Sequence, residues 1–241
     1  NNINPTTGET YLVPYEYKPY FVGLTDEELE RYETKTEKIA KYYYKSRDDE
    51  EREKWFTLLC IHRQDIIKNA NNKYNAFRRI LEEIGENRIE YCLVYCSSNQ
   101  MKTVQDILNE ANIIQHKFTE NEGKSPSNVF NGLSEREFLI KKFEKGIYQI
   151  LVSIKCLDVG LDVPPAKNAI ILTSSGNPLQ WVQRRGRVLR RFPGKEKAII
   201  YDIIIVPSLY GIVEHNLLNL ERRIFYKLNS SQFKKIEKLL K

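Results

Sequence analysis

Apolar positions follow two rhythms along this chain, and the change falls near residue 89. Before it the spacing is helical. Leu29, Tyr32, Thr36, Ile39, Ala40 and Tyr43 recur at three- and four-residue steps, the mark of a helix with one apolar face. Thr25-Asp26-Glu27-Glu28, just ahead of them, reads as a capping box in which Thr25 caps and Glu28 reaches back. Residues 55–67 and 74–84 predict two more amphipathic helices, the second closed by Gly85. The charged run 48–54 reads as a helix start or loop. An extended lead-in, 11–24, punctuated by Pro14 and Pro19, precedes all of this.

After residue 89, short apolar runs alternate with helical stretches. The runs 91–96, 113–118, 148–153, 169–172 and 198–206 are apolar on both faces, as strands between two helix layers are. Helical stretches fall at 99–111, 134–145 and 178–190. Ser134-Glu135-Arg136-Glu137 is a second capping box, and Gly146 ends that helix. Strand and helix in alternation predict an α/β fold: a parallel sheet with right-handed crossovers, flanked by helices. Residues 209–241 read as amphipathic helix. Four regions follow: a lead-in at 1–24, a helical accessory region at 25–88, the α/β domain at 89–207 and a helical tail at 208–241.

Composition narrows the class. With 241 residues, 41% hydrophobic and 29% charged, the chain suits one globular domain or a core with an appended subdomain, and disorder is excluded. No apolar stretch approaches the roughly 18 residues of a membrane span, no signal peptide opens the chain, and no membrane partner is expected. Four cysteines without disulfide-like spacing fit a reducing cytosol, hence a cytoplasmic protein. Cys92 and Cys96 share one face of a predicted strand and read as buried thiols, so no metal site is expected. The single methionine is Met101 and residue 1 is Asn, so the chain is expected to be a piece of something longer.

The formal net charge of +6 is uneven: −1 over 1–24, −1 over 25–88 and +8 over 89–241. A basic second half fits nucleic acid, and fits simple solubility equally well.

Chemistry concentrates in a few segments. Gly123-Lys124-Ser125 mimics a phosphate loop, but position 118 is Phe where the first Gly belongs and Pro126 follows. It is expected to be a mobile surface loop. Gln183-Arg184-Arg185-Gly186-Arg187-Val188-Leu189-Arg190, with Arg191 after it, is the strongest signal. Arg187 and Arg190 are three apart and would point the same way on a helical turn. Gly186 permits close approach or a tight turn, and guanidinium forks suit phosphate oxygens. Gly160-Leu161-Asp162-Val163-Pro164 follows a predicted strand, at the edge where parallel sheets bind ligands. Read alone, it is also an ordinary polar turn. Cys96-Ser97-Ser98 and Ser174-Ser175 each end an apolar run ahead of a helix; amides there suit a backbone phosphate, or the serines simply cap.

Together, in this order and spacing, these segments resemble the second RecA-like lobe of superfamily 2 helicases and translocases, over roughly residues 89–207. Gly160, Asp162 and Pro164 match the family's fifth motif, and Gln183 to Arg190 its sixth. The flavour is that of transcription-repair and restriction-type double-strand DNA translocases, including phage-defence members. The family's usual Thr or Ser is replaced by Ile154, with Ser153 adjacent.

The resemblance implies a RecA-like parallel sheet, with Arg187 and Arg190 as arginine fingers. It places Gly160, Asp162 and Gln183 on the nucleotide, and Cys96, Ser97, Ser98, Ser174 and Ser175 on nucleic acid. It implies ATP and Mg2+ held mainly by an upstream lobe of the same polypeptide, and DNA, double-stranded in this subgroup, as partner. The competing classes are a non-catalytic nucleic-acid-binding module and a metabolic nucleotide-binding enzyme with a doubly wound sheet.

Overall fold

The computed structural model describes residues 12–43, 50–85, 89–119, 121–154, 166–173 and 186–207. Six strands form one parallel sheet in the order β1-β6-β5-β2-β4-β3. They are β1 (Tyr15–Val22), β2 (Cys92–Tyr95), β3 (Gln115–Phe118), β4 (Ile150–Ser153), β5 (Asn168–Ile171) and β6 (Ala198–Ile205). The helices are α1 (Asp26–Tyr43), α2 (Glu50–Lys68), α3 (Asn72–Ile84), α4 (Met101–Glu110) and α5 (Glu135–Glu144).

Strand alternation sorts the core into two layers. Leu93, Tyr95, Leu151, Ala169, Ile171, Ala198 and Ile200 point to one face, where Leu139, Ile140 and Phe143 of α5 cover them. Cys92, Val94, Ile150, Val152, Ile170, Tyr201 and Ile203 point to the other, under α3 and α4. β2 and β4 are buried along their whole length. Burial pushes the Cys92 thiol well above the usual thiol range.

Local signals hold. Thr25 and Glu28 bond reciprocally at 3.1 and 3.3 Å. Ser134 and Glu137 form the second capping box, and the Ser134 amide holds the Glu137 carboxyl below the usual glutamate range. Gly85 and Gly146 close α3 and α5 at φ 84° and 70°, conformations that favour glycine.

Three features differ from expectation. The lead-in is a full edge strand: β1 pairs with β6 from Tyr15↔Ala198 to Val22↔Ile205. β3 is the opposite edge, and its Gln115, His116 and Lys117 are not buried, because an edge strand need not be apolar on both faces. The loop expected to be mobile carries hydrogen bonds at residues 119, 122 and 123. The Thr119 amide donates to Glu122, the Gly123 amide donates to Glu135 at 2.9 Å, and Arg136 reaches the carbonyls of Thr119 and Glu122. With the Gly123 amide on a carboxylate, the resemblance to a phosphate loop ends there.

Helix α3 lies within the helical accessory stretch of the sequence, yet buries Ala76, Phe77, Ile80 and Leu81 against the sheet. Helices α1 and α2 pack on each other, with Tyr32 buried between them and Arg63 over its ring.

Candidate nucleotide and nucleic-acid site

All six strands are parallel, so the loops that leave them gather along one carboxyl edge. Cys96-Ser97-Ser98 leaves β2 beside Thr173, which follows β5. Cys96 and Ser97 are each 5% exposed, and only Ser98 of the three is open to solvent. The Ser97 hydroxyl donates to Asn69 Oδ1 at 2.8 Å. Ser97 and Gln100 exchange bonds in capping-box fashion, the Ser97 amide to Gln100 Oε1 and the Gln100 amide to Ser97 Oγ.

This network anchors the turn between α2 and α3 to the sheet. Gln100 Nε2 donates to the Lys68 carbonyl, and Thr173 Oγ1 lies within hydrogen-bond reach of that carbonyl and of Gln100 Oε1, its single hydrogen serving one of the two. Lys73, 4% exposed, donates to the carbonyls of Lys68 and Leu172 at 3.0 and 2.7 Å. Glu28 accepts from the Asn71 amide at 3.0 Å. Asn69, Gln100, Thr173 and Lys73 were not legible as site residues. Only Gln100 carried a local signal, three residues after Ser97. Ser153, adjacent to Ile154, ends β4 at this edge and is fully buried.

The arginine-rich segment begins its described part with a helical turn at 186–188. Val188 and Leu189, 1% and 2% exposed, seat it on the α5 face of the sheet. Arg187 and Arg190 do not share an environment. The turn stops at 188, and Arg190 forms an isolated antiparallel bridge with Leu12. Arg187 is 9% exposed while Arg190 is open to solvent. Among the described residues, no side chain bonds or pairs with the Arg187 guanidinium. A Cβ on Gly186 would meet nothing within 4 Å, so the lobe's own packing does not require glycine there. Gly160, Asp162, Ser174, Ser175 and Gln183 lie outside the described residues.

Around the arginine turn, the Val13 amide donates to the Leu189 carbonyl at 2.8 Å. Lys195 Nζ donates to the carbonyls of Val188 and Arg190 at 2.6 and 2.9 Å. Lys195 was not singled out by sequence.

The pattern of the helicase conserved C-terminal domain matches residues 72–192, from α3 through the arginine segment. The DNA 3'-5' translocase XPB2 of Sulfurisphaera tokodaii is 28% identical over 214 residues, which are 80% of this chain and 44% of that protein. The chain thus spans less than half the length of that curated relative. In structure it is similar to the Sulfolobus solfataricus SWI2/SNF2 ATPase core in complex with dsDNA, with a TM-score of 0.61 at 19% identity, over 90% of this chain and 46% of that one. The C-terminal part of the Fun30 ATPase domain gives a TM-score of 0.59 at 13% identity over 95% and 97% of the two chains. The chain belongs to the helicase conserved C-terminal domain family and is a RecA-like C-terminal lobe of superfamily 2.

Proposed function

We propose that this chain is the second motor lobe of a cytoplasmic, ATP-dependent DNA helicase or double-strand DNA translocase. The upstream lobe of the same polypeptide completes the site. On this reading Arg187 and Arg190 are the arginine fingers, Gly160, Asp162 and Gln183 contact the nucleotide, and Cys96, Ser97, Ser98, Ser174 and Ser175 line the nucleic-acid edge. Cys96 and Ser97 have buried side chains and amides that donate to Ser153 O and Gln100 Oε1, so their part is to hold Ser98, the exposed one of the three, at that edge. The accessory region is the α1–α2 pair, and α3 travels with the sheet.

The observation that carries the reading is Arg187, a residue 9% exposed with no anion from the described residues beside its charge. A buried charge is costly unless paired, so a partner arriving from outside fits it. A polyphosphate is that partner, and open space beside Gly186 leaves room for one to approach. ATP, when bound, supplies the hydrolysis that drives movement, and Mg2+ is assigned to the upstream lobe. This lobe contributes fixed positive charge, and its dependence on closure turns hydrolysis into motion.

The test uses the polypeptide carrying both lobes. Arg187→Ala lowers ATP turnover by about 10³–10⁵-fold, the range for lost arginine fingers, while DNA binding persists. Unchanged turnover overturns the reading in favour of a non-catalytic nucleic-acid-binding module. This chain alone is expected to show no ATP turnover approaching about 1 s⁻¹.

A further inference from the structure

The arginine segment is held at its backbone from two sides. Four consecutive carbonyls, those of residues 187 to 190, all have partners. Arg187 O accepts from the Arg190 amide at 3.4 Å, closing the turn on itself. Leu189 O accepts from the Val13 amide at 2.8 Å. Val188 O and Arg190 O both accept from Lys195 Nζ, at 2.6 and 2.9 Å. Lys195 is 7% exposed, although a lysine beside a surface turn ordinarily extends its ammonium into water. Its stem is folded back by the turn Phe192-Pro193-Gly194-Lys195. There the Lys195 amide donates to Phe192 O at 3.0 Å and Gly194 takes φ 76°. Proline at the second position and glycine at the third are the residues such a reversal needs.

We propose that Lys195 is a positioning residue for the arginine fingers. Its ammonium fixes the backbone that carries Arg187 and Arg190 without touching either guanidinium. Val13 fixes the carbonyl between, so the aim of the fingers is tied to the segment that leads into β1. The proposal rests on the reading of Arg187 and Arg190 as phosphate ligands. An arginine displaced by about 1 Å from its target loses roughly 10²-fold in rate. The effect falls on the chemical step rather than on nucleotide affinity.

The test is steady-state ATP turnover by the two-lobe polypeptide, in a cycle of Lys195→Met, Arg187→Ala and the double variant. Methionine keeps an apolar stem and removes the donors. The expected result is a fall in kcat of about 10²-fold for Lys195→Met, with KM for ATP changed less than about threefold. In the Arg187→Ala background it brings no further loss, because residues acting as one unit are not additive. Unchanged kcat for Lys195→Met, or a full additional loss in the double variant, overturns the proposal. If Lys195→Met does not fold, Val13→Pro removes the other donor, and the same two outcomes decide. If Arg187→Ala itself leaves turnover intact, the reading of the fingers fails, and this inference falls with it.

Discussion

Tyr17 donates its phenolic hydrogen to Asp202 Oδ2 at 2.8 Å, inside the core and diagonally across the β1–β6 pair, where Tyr17 itself stands opposite Ile200. Asp202 is fully buried in a strand otherwise made of Ala, Ile and Tyr. The bond secures the lead-in strand to the sheet. Replacing Tyr17 with Phe keeps the ring and deletes the donor, and is expected to cost about 1–3 kcal/mol, the usual loss when a buried group is left short of a partner. Urea denaturation of the two proteins measures it, and equal midpoints would show the bond to be dispensable.

Helix α3 and helix α2 are expected to respond differently to truncation. Phe77 is completely buried against the sheet, and Phe77→Ala is expected to cost about 3–5 kcal/mol. Trp55, on α2, is 64% exposed, and Trp55→Ala is expected to stay within about 0.5 kcal/mol. Similar losses at both positions would mean that the Trp55 face is packed in solution.

On the proposed function, DNA binding is sequence-independent and falls with salt. The +8 balance of residues 89–241 supplies the attraction. Each neutralised phosphate adds about 0.9 to the slope of log affinity against log salt. Fluorescence anisotropy with an unrelated duplex at several salt concentrations gives the slope. Binding indifferent to salt, or absent at low salt, counts against this use of the basic half.

Cysteine labelling separates surface from core. Cys60 lies half-buried on α2, whereas Cys92 is fully buried and its thiol titrates above the usual thiol range. Under native conditions an alkylating reagent is expected to modify Cys60 and spare Cys92. Raising the pH toward 9.5 does not release Cys92, because its thiol stays protonated there; urea does. Mass spectrometry of tryptic peptides reads the result, and native labelling of Cys92 at the Cys60 rate would contradict its burial.

What was legible in the sequence is what short-range chemistry decides. Both capping boxes lie within three residues, and both form. The runs that became β2, β4, β5 and β6 were plain because central strands must be apolar on both faces. β1 was not, because its polar positions and Pro19 suit an edge, and its partner lies 183 positions away. The site divides the same way. Arg187 and Ser97 could be named from their motifs. That Ser97 spends its hydroxyl on Asn69, that Arg187 is buried while Arg190 is not, and that Lys195 grips the turn depend on contacts that no local pattern encodes.

The pairing of β1 over β6 also bears on solubility. β6 places five isoleucines in eight positions with no proline, a composition that readily recruits further strands. β1 sets Glu16, Lys18 and Pro19 along the outer border, and proline has no amide to offer a newcomer. A polypeptide begun at residue 25 would strip that border and leave the backbone of β6 open as a template for intermolecular sheet growth. Residues 12–22 therefore act as the guard that keeps copies of this lobe apart, and recombinant boundaries that omit them should yield aggregates instead of a motor lobe.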